Sequence, residues 1–202
     1  MGGVVTNTFK FDIIYSKLGI TKEIFFDICR KKDDLWSKLE KGQIGTDVFW
    51  NSFNEMVEEL KAGGRDSVDY SKIPVVKNDL FRLYFHPSKN PVTIQLIEKL
   101  KKNNRVVCGT NTIQSHWENH MERGDYAFFN QTYASNKIGE AKPNPEFFKL
   151  ILEAENCAPE NAFFTDDKIE NVEAAKSVGI NAVLFTSAED LTKAWEKYIN
   201  LV

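Results

Sequence analysis

The second half of the chain constrains the fold most. From Pro91 onward, short apolar runs alternate with stretches whose apolar residues recur at helical spacing. Val92, Leu96, Ile97 and Leu100 mark one amphipathic helix, which Asn103-Asn104 breaks. Arg105-Val106-Val107-Cys108-Gly109-Thr110 then reads as a short buried strand, and Ala127 to Tyr133 as a second candidate. Asn144-Pro145 is a good helix start for Phe147, Phe148, Ile151 and Leu152, because proline is pre-organised for the first helical position. Ala162-Phe163-Phe164-Thr165 predicts a third strand, Val172 to Val178 a helix, Ala182 to Phe185 a fourth strand, and Glu189 to Ile199 a closing helix. Strands that alternate with helices in this way run parallel, joined by right-handed crossovers. The expected fold class is α/β, with a doubly wound parallel sheet.

The first half has a different texture. From about Lys10 to Leu83 the pattern is helical. Thr21 caps a helix carrying Ile24, Phe25 and Ile28; Leu35, Trp36 and Leu39 mark a second, which Gly42 ends. Thr46 opens a longer helix with Phe49, Phe53, Met56, Val57 and Leu60, closed by Gly63-Gly64. These starts and stops follow helix-capping chemistry. The domain expectation is a core of residues 1–9 and 84–202 with an all-helical insert at 10–83.

Composition narrows the function classes. The hydrophobic fraction is 42% with 12% aromatics, enough for a packed core rather than disorder. The net charge of −3, with no long basic block, leaves no nucleic-acid footprint. No apolar stretch approaches the ~20 residues of a membrane span. Three widely spaced cysteines, Cys29, Cys108 and Cys157, fit reduced thiols better than a disulfide framework or zinc site. The expectation is a cytoplasmic protein that uses neither nucleic acid nor membrane.

In an open parallel sheet, chemistry gathers outside the carboxyl ends of the strands. Three polar features sit there. The strand at 105–110 ends in Thr110-Asn111-Thr112; Lys142 stands before the proline-started helix; the strand at 162–165 ends in Asp166-Asp167, with Asn171 four residues on. Each has a bland reading, as a capping residue or a solvated lysine, although capping explains only one of two adjacent carboxylates. Together a hydroxyl, a lysine and a carboxylate pair can surround a phosphoryl group, with the carboxylates holding Mg²⁺.

This order of residues resembles the haloacid dehalogenase (HAD) superfamily, whose four motifs run nucleophile strand, Ser/Thr, Lys, acidic pair. Val106 to Thr112 looks like the second motif, Lys142 in Ala-Lys-Pro-Asn-Pro-Glu the third, and Phe163 to Ala175 through Gly179-Ile180 the fourth. The resemblance implies a Rossmann-like core with a helical cap inserted after the first motif, the cap being similar at Leu39-Glu40-Lys41-Gly42-Gln43-Ile44. It implies Thr110 and Lys142 as catalytic phosphoryl holders and Asn111 as a substrate-binding neighbour. It further implies Asp167, Asp166 and the Gly2 backbone carbonyl as ligands of a Mg²⁺ cofactor. The activity implied is phosphomonoester hydrolysis through an aspartyl-phosphate, on small phosphorylated metabolites.

The family's first motif is an apolar strand ending in Asp, and here Met1-Gly2-Gly3-Val4-Val5 resembles the segment immediately after that Asp. The expectation is therefore that the nucleophile lies upstream of Met1 and that these residues alone are inactive, an internal methionine having been taken as the start. Phe11-Asp12 is the alternative first motif, but it lacks the glycine turn. Two other functions compete: a HAD fold retained only for binding or regulation, and a 2-haloacid dehalogenase. His116 and His120, four apart, could share a metal, yet lack the zinc-protease pattern. His86, Cys108 and the aromatics Trp36, Phe49, Trp50 and Phe53 read as structural.

Overall fold

The computed structural model describes residues 1–63 and 68–199. The helical run comprises α1 (Asp12–Leu18), α2 (Lys22–Lys31), α3 (Leu35–Glu40), α4 (Thr46–Gly63) and α5 (Leu80–Tyr84). The Thr21 hydroxyl accepts from the Ile24 amide at 3.4 Å, which starts α2. Gly42 leaves α3 in the left-handed region at φ 69°. Gly63 ends α4, and Gly64 lies outside the described residues. Phe25, Phe49, Phe53 and Phe81 are fully buried against one another. Each such ring contributes roughly 1.5–3 kcal/mol by burial, so this module carries a core of its own.

The remainder alternates α6 (Pro91–Leu100), β1 (Val107–Thr110), α7 (Gln114–Glu122), β2 (Gln131–Ala134), α8 (Ser135–Ile138), α9 (Pro145–Ala154), β3 (Phe163–Asp166), α10 (Ile169–Ser177), β4 (Asn181–Leu184) and α11 (Ala188–Ile199). Its second core is built from Phe147, Phe148, Val172 and Ala175. The strands are parallel, but among the described residues they form two separate pairs, β1 with β2 and β3 with β4, rather than one sheet. The remaining edges of β1 and β3 face one cleft.

One strand was misplaced by the sequence pattern. Ala127 and Phe128, the start of the expected 127–133 strand, belong instead to a 3-10 turn, Asp125–Phe128, and β2 begins only at Gln131. Asp125 is wholly buried and pairs with Lys89, His120 and Arg123, while Tyr126 stacks on Trp117 at 4.6 Å. Those contacts need the side chains of one tight turn, not an alternating strand.

The segments entering and leaving the helical module run side by side. Asn7 N donates to Ser88 O at 3.0 Å and Asn90 N to Val5 O at 2.8 Å, with an antiparallel bridge from Thr6 to Lys89. Phe9 and Phe85 meet edge to face at 5.6 Å, and His116 stacks on Phe85 at 3.7 Å. Burial, then the neighbouring His120 charge, depresses the His116 imidazole to about 3. Both histidines are thus structural: His116 is packed among rings and His120 is bonded to Asp125.

Candidate active site

Lys142 precedes α9 and is held at both ends. Its backbone N donates to Asn111 Oδ1 at 2.9 Å, and its backbone O accepts from Asn111 Nδ2 at 2.8 Å. The amide after β1 thereby fixes the loop that carries the lysine. The Lys142 ammonium reaches back to Gly109 O of β1 at 2.9 Å and to Asp166 Oδ2 of β3 at 2.6 Å. One cation therefore bridges the two strand pairs. Its side chain is 6% exposed and that of Asp166 8%, so both charges are desolvated and each depends on the other.

Asp166 is saturated. Its Oδ1 also accepts from the Lys168 amide at 3.0 Å and from Asn171 Nδ2 at 2.8 Å. Burial pushes its carboxyl up, but the charge and hydrogen bond of Lys142, with Asn171 and the Lys168 amide, outweigh burial and hold it below the usual range. Asp167 is the opposite case. It makes no ion pair among the described residues, and burial and then the Asp166 charge raise its carboxyl. Gly3, at φ +83°, packs so closely that a Cβ there would lie 2.0 Å from Asp167 Oδ2. Only glycine fits between the opening turn and that carboxylate.

Thr110, buried at the end of β1, completes the corner, its hydroxyl donating to Asn111 O at 3.3 Å. Thr110, Asn111, Lys142, Asp166, Asp167 and Gly2 all line one cleft of about 810 Å³. Phe11, Trp36 and Glu40 of the helical region line it as well. Asp12 opens α1, is exposed, and is not among the cleft residues.

The family profile described as haloacid dehalogenase-like hydrolase matches residues 4–179. The chain belongs to that family. A HAD family enzyme of Bacteroides thetaiotaomicron, solved with magnesium and inorganic phosphate, is similar at 25% identity and TM-score 0.66 over 92% of this chain and 91% of that one. The 2-haloacid dehalogenase of Pseudomonas syringae shares the fold, at 16% identity and TM-score 0.61 over 93% of this chain and 86% of its own. Among curated relatives, the phosphorylated carbohydrates phosphatase of Thermotoga maritima is 31% identical over 47% of this chain and 45% of its own length. Drimenol cyclase drtB of Aspergillus calidoustus is 23% identical over 79% of this chain and 29% of its own. The chain thus spans less than half of these two curated relatives.

For a HAD hydrolase the donor set suits magnesium better than zinc. Among the described residues no group of three or more His, Cys, Asp or Glu is placed to cage a metal. Mg²⁺ binds through one or two carboxylates and keeps several waters. Asp167, a half-buried carboxylate with no ion pair among the described residues, fits that demand, whereas both Asp166 oxygens are already engaged. Asn111, expected beside the substrate, spends its amide on Lys142.

Sequence reasoning missed Glu40. It closes α3 on the helical side, lines the cleft near Asn111, and feels the charges of Lys168 and Lys142. The run Leu39 to Ile44 carries the likeness to the family's cap but singles out no side chain of it for the cleft. No helix among the described residues is long and apolar enough to cross a membrane.

Proposed function

We propose that this chain is the body of a phosphomonoesterase acting on small phosphorylated metabolites through an aspartyl-phosphate. The observation that carries the reading is the Lys142 ammonium set between Gly109 O and Asp166, in the same cleft as Thr110 and Asp167. Thr110 and Lys142 hydrogen-bond and neutralise the transferring phosphoryl oxygens, where a preorganised donor is worth most. Asp166 and Asn111 hold Lys142 in place. Asp167, with the Gly2 carbonyl, would hold magnesium, which when bound neutralises phosphoryl charge. The phosphatase relatives and the magnesium and phosphate in the Bacteroides structure support this assignment.

The nucleophile is the carboxylate of an Asp at the end of an apolar strand directly ahead of Met1, with residues 10–83 as the cap over it. The position of Met1 supports that placement, since its amine lies within electrostatic reach of both Cys108 on β1 and Asp167 after β3. A strand continuing there can pair with both unused edges. The chain without that strand should therefore be inactive.

The test is hydrolysis of an aryl phosphate with Mg²⁺. It compares the chain beginning at Met1, the chain extended by an apolar strand ending in Asp, and the extended chain with Asp167→Asn. Activity should appear only on extension, and Asp167→Asn should lower it by ~10²–10³-fold. Equal activity with and without the extension would place the nucleophile elsewhere. Release of halide from a 2-haloacid, with no phosphate release, would favour the dehalogenase alternative. Phosphate binding without turnover by the extended chain would favour a binding role.

A further inference from the structure

Glu40 is carried by the cap side yet docked firmly on the core. Its backbone O accepts from the Ser135 hydroxyl at 2.7 Å, and the Ser135 oxygen in turn accepts from the Thr112 amide at 2.9 Å. Lys41 pairs with Glu140 at 3.1 Å. Gly42 lies so close to α8 that a Cβ there would be 2.1 Å from Asn136 O. The end of α3 is thus sewn to the loop after β1 and to α8, and the Glu40 side chain enters the cleft beside Asn111.

The charged groups around it are Lys41 from its own end of the helix, and Lys142 and Lys168 from the core, with Asp166 and Asp167 beyond them in the cleft. Burial raises the Glu40 carboxyl despite Lys168, Asn111, Lys142 and Lys41. A phosphate dianion held at Thr110 and Lys142 adds like charge, which favours the neutral acid further. Gly2 and Gly3 have no side chain to offer a proton from the opposite wall. A neutral carboxyl is a donor, and Glu40 is the acid that the helical side presents there.

We propose that Glu40 is the general acid of the reaction: seated over the phosphoryl corner by Ser135 and Gly42, it donates its proton to the bridging ester oxygen. The inference rests on the phosphomonoesterase reading above. As the aspartate carboxylate forms its O–P bond, the bridging P–O bond breaks, its electron pair stays on the leaving oxygen, and the Glu40 proton completes the alcohol. Glu40, now a carboxylate, takes a proton from the water that attacks the aspartyl-phosphate. Inorganic phosphate leaves and the acid is restored.

The test has two arms. In the strand-extended chain, Glu40→Gln and wild type hydrolyse p-nitrophenyl phosphate, whose leaving group needs little help, and glycerol phosphate, whose leaving group needs a proton. Glu40→Gln should lose ~10²-fold or more in kcat on glycerol phosphate and only a few-fold on the nitrophenyl ester, with Glu40→Asp partly restoring the former. Equal losses on both esters would reduce Glu40 to a positioning residue and overturn the proposal. In the chain beginning at Met1, calorimetry of inorganic phosphate binding in buffers of different ionisation enthalpy counts protons. Wild type should take up a larger fraction of a proton than Glu40→Gln, and identical uptake would overturn the proton donor whatever the hydrolysis shows. No hydrolysis of either ester by the extended wild type would overturn the phosphomonoesterase reading and the catalytic step, leaving the proton count to decide the donor alone.

Discussion

Replacing Lys142 by Met keeps most of the side chain's length and removes its charge. The ammonium makes two bonds, to Gly109 O at 2.9 Å and to Asp166 Oδ2 at 2.6 Å, between side chains only 6% and 8% exposed. Without it the Asp166 carboxylate stays desolvated with only the Lys168 amide and Asn171 as donors. Breaking a buried pair from one side costs about 3–5 kcal/mol, mostly because the surviving charge is stranded. The Gly109 carbonyl adds little, since it faces the cleft and can be hydrated. Urea unfolding in chelator at neutral pH measures the loss. Lys142→Met should be destabilised by about 3–5 kcal/mol, and adding Asp166→Asn should recover at least half, because the stranded charge is gone while an acceptor remains. A loss below about 1 kcal/mol, as for an exposed pair, would refute the argument. So would a double variant as unstable as the sum of the singles.

Acid should loosen the junction between module and core. His116 is a base whose folded-state value is depressed to about 3, so its stabilisation is present above the unfolded value of roughly 6.5 and is lost as pH falls toward 3. Between pH 7 and 5 it should account for roughly 2 kcal/mol of lost stability. His116→Phe should remove that share of the urea-midpoint shift, and an unchanged shift would contradict the assignment. Gly42→Ala should cost roughly 1–3 kcal/mol for its left-handed backbone alone, with more from the clash on Asn136 O. Thermal denaturation reads it, and a neutral result would mean that α3 is not docked as described.

Much of this fold is legible in the sequence because it is written in local chemistry. Thr21, Gly42, Thr46 and Asn144-Pro145 mark element ends, and each falls where the structure has an end. The candidate corner is legible for a related reason: strand ends in a parallel fold are predictable, so Thr110 and Asp166 can be located from the apolar runs before them. What stays hidden depends on distant partners. The turn at Asp125 is set by Lys89 and His120, and the docking of the Glu40 backbone by Ser135, 95 residues away. Likewise nothing near Asp166 or Asp167 reveals that Lys142 pairs with the first and not with the second.

The paired segments at Val5–Asn7 and Ser88–Asn90 bring the two ends of the helical run together. An insert whose ends already touch can be exchanged for another without reopening the parent fold. Lys142, Asp166 and Thr110 lie outside that helical run, whereas Glu40, Trp36 and Phe11 lie within it. A new insert would therefore bring a new proton donor and a new cleft wall in one step, while the grip on phosphate passed through the exchange untouched.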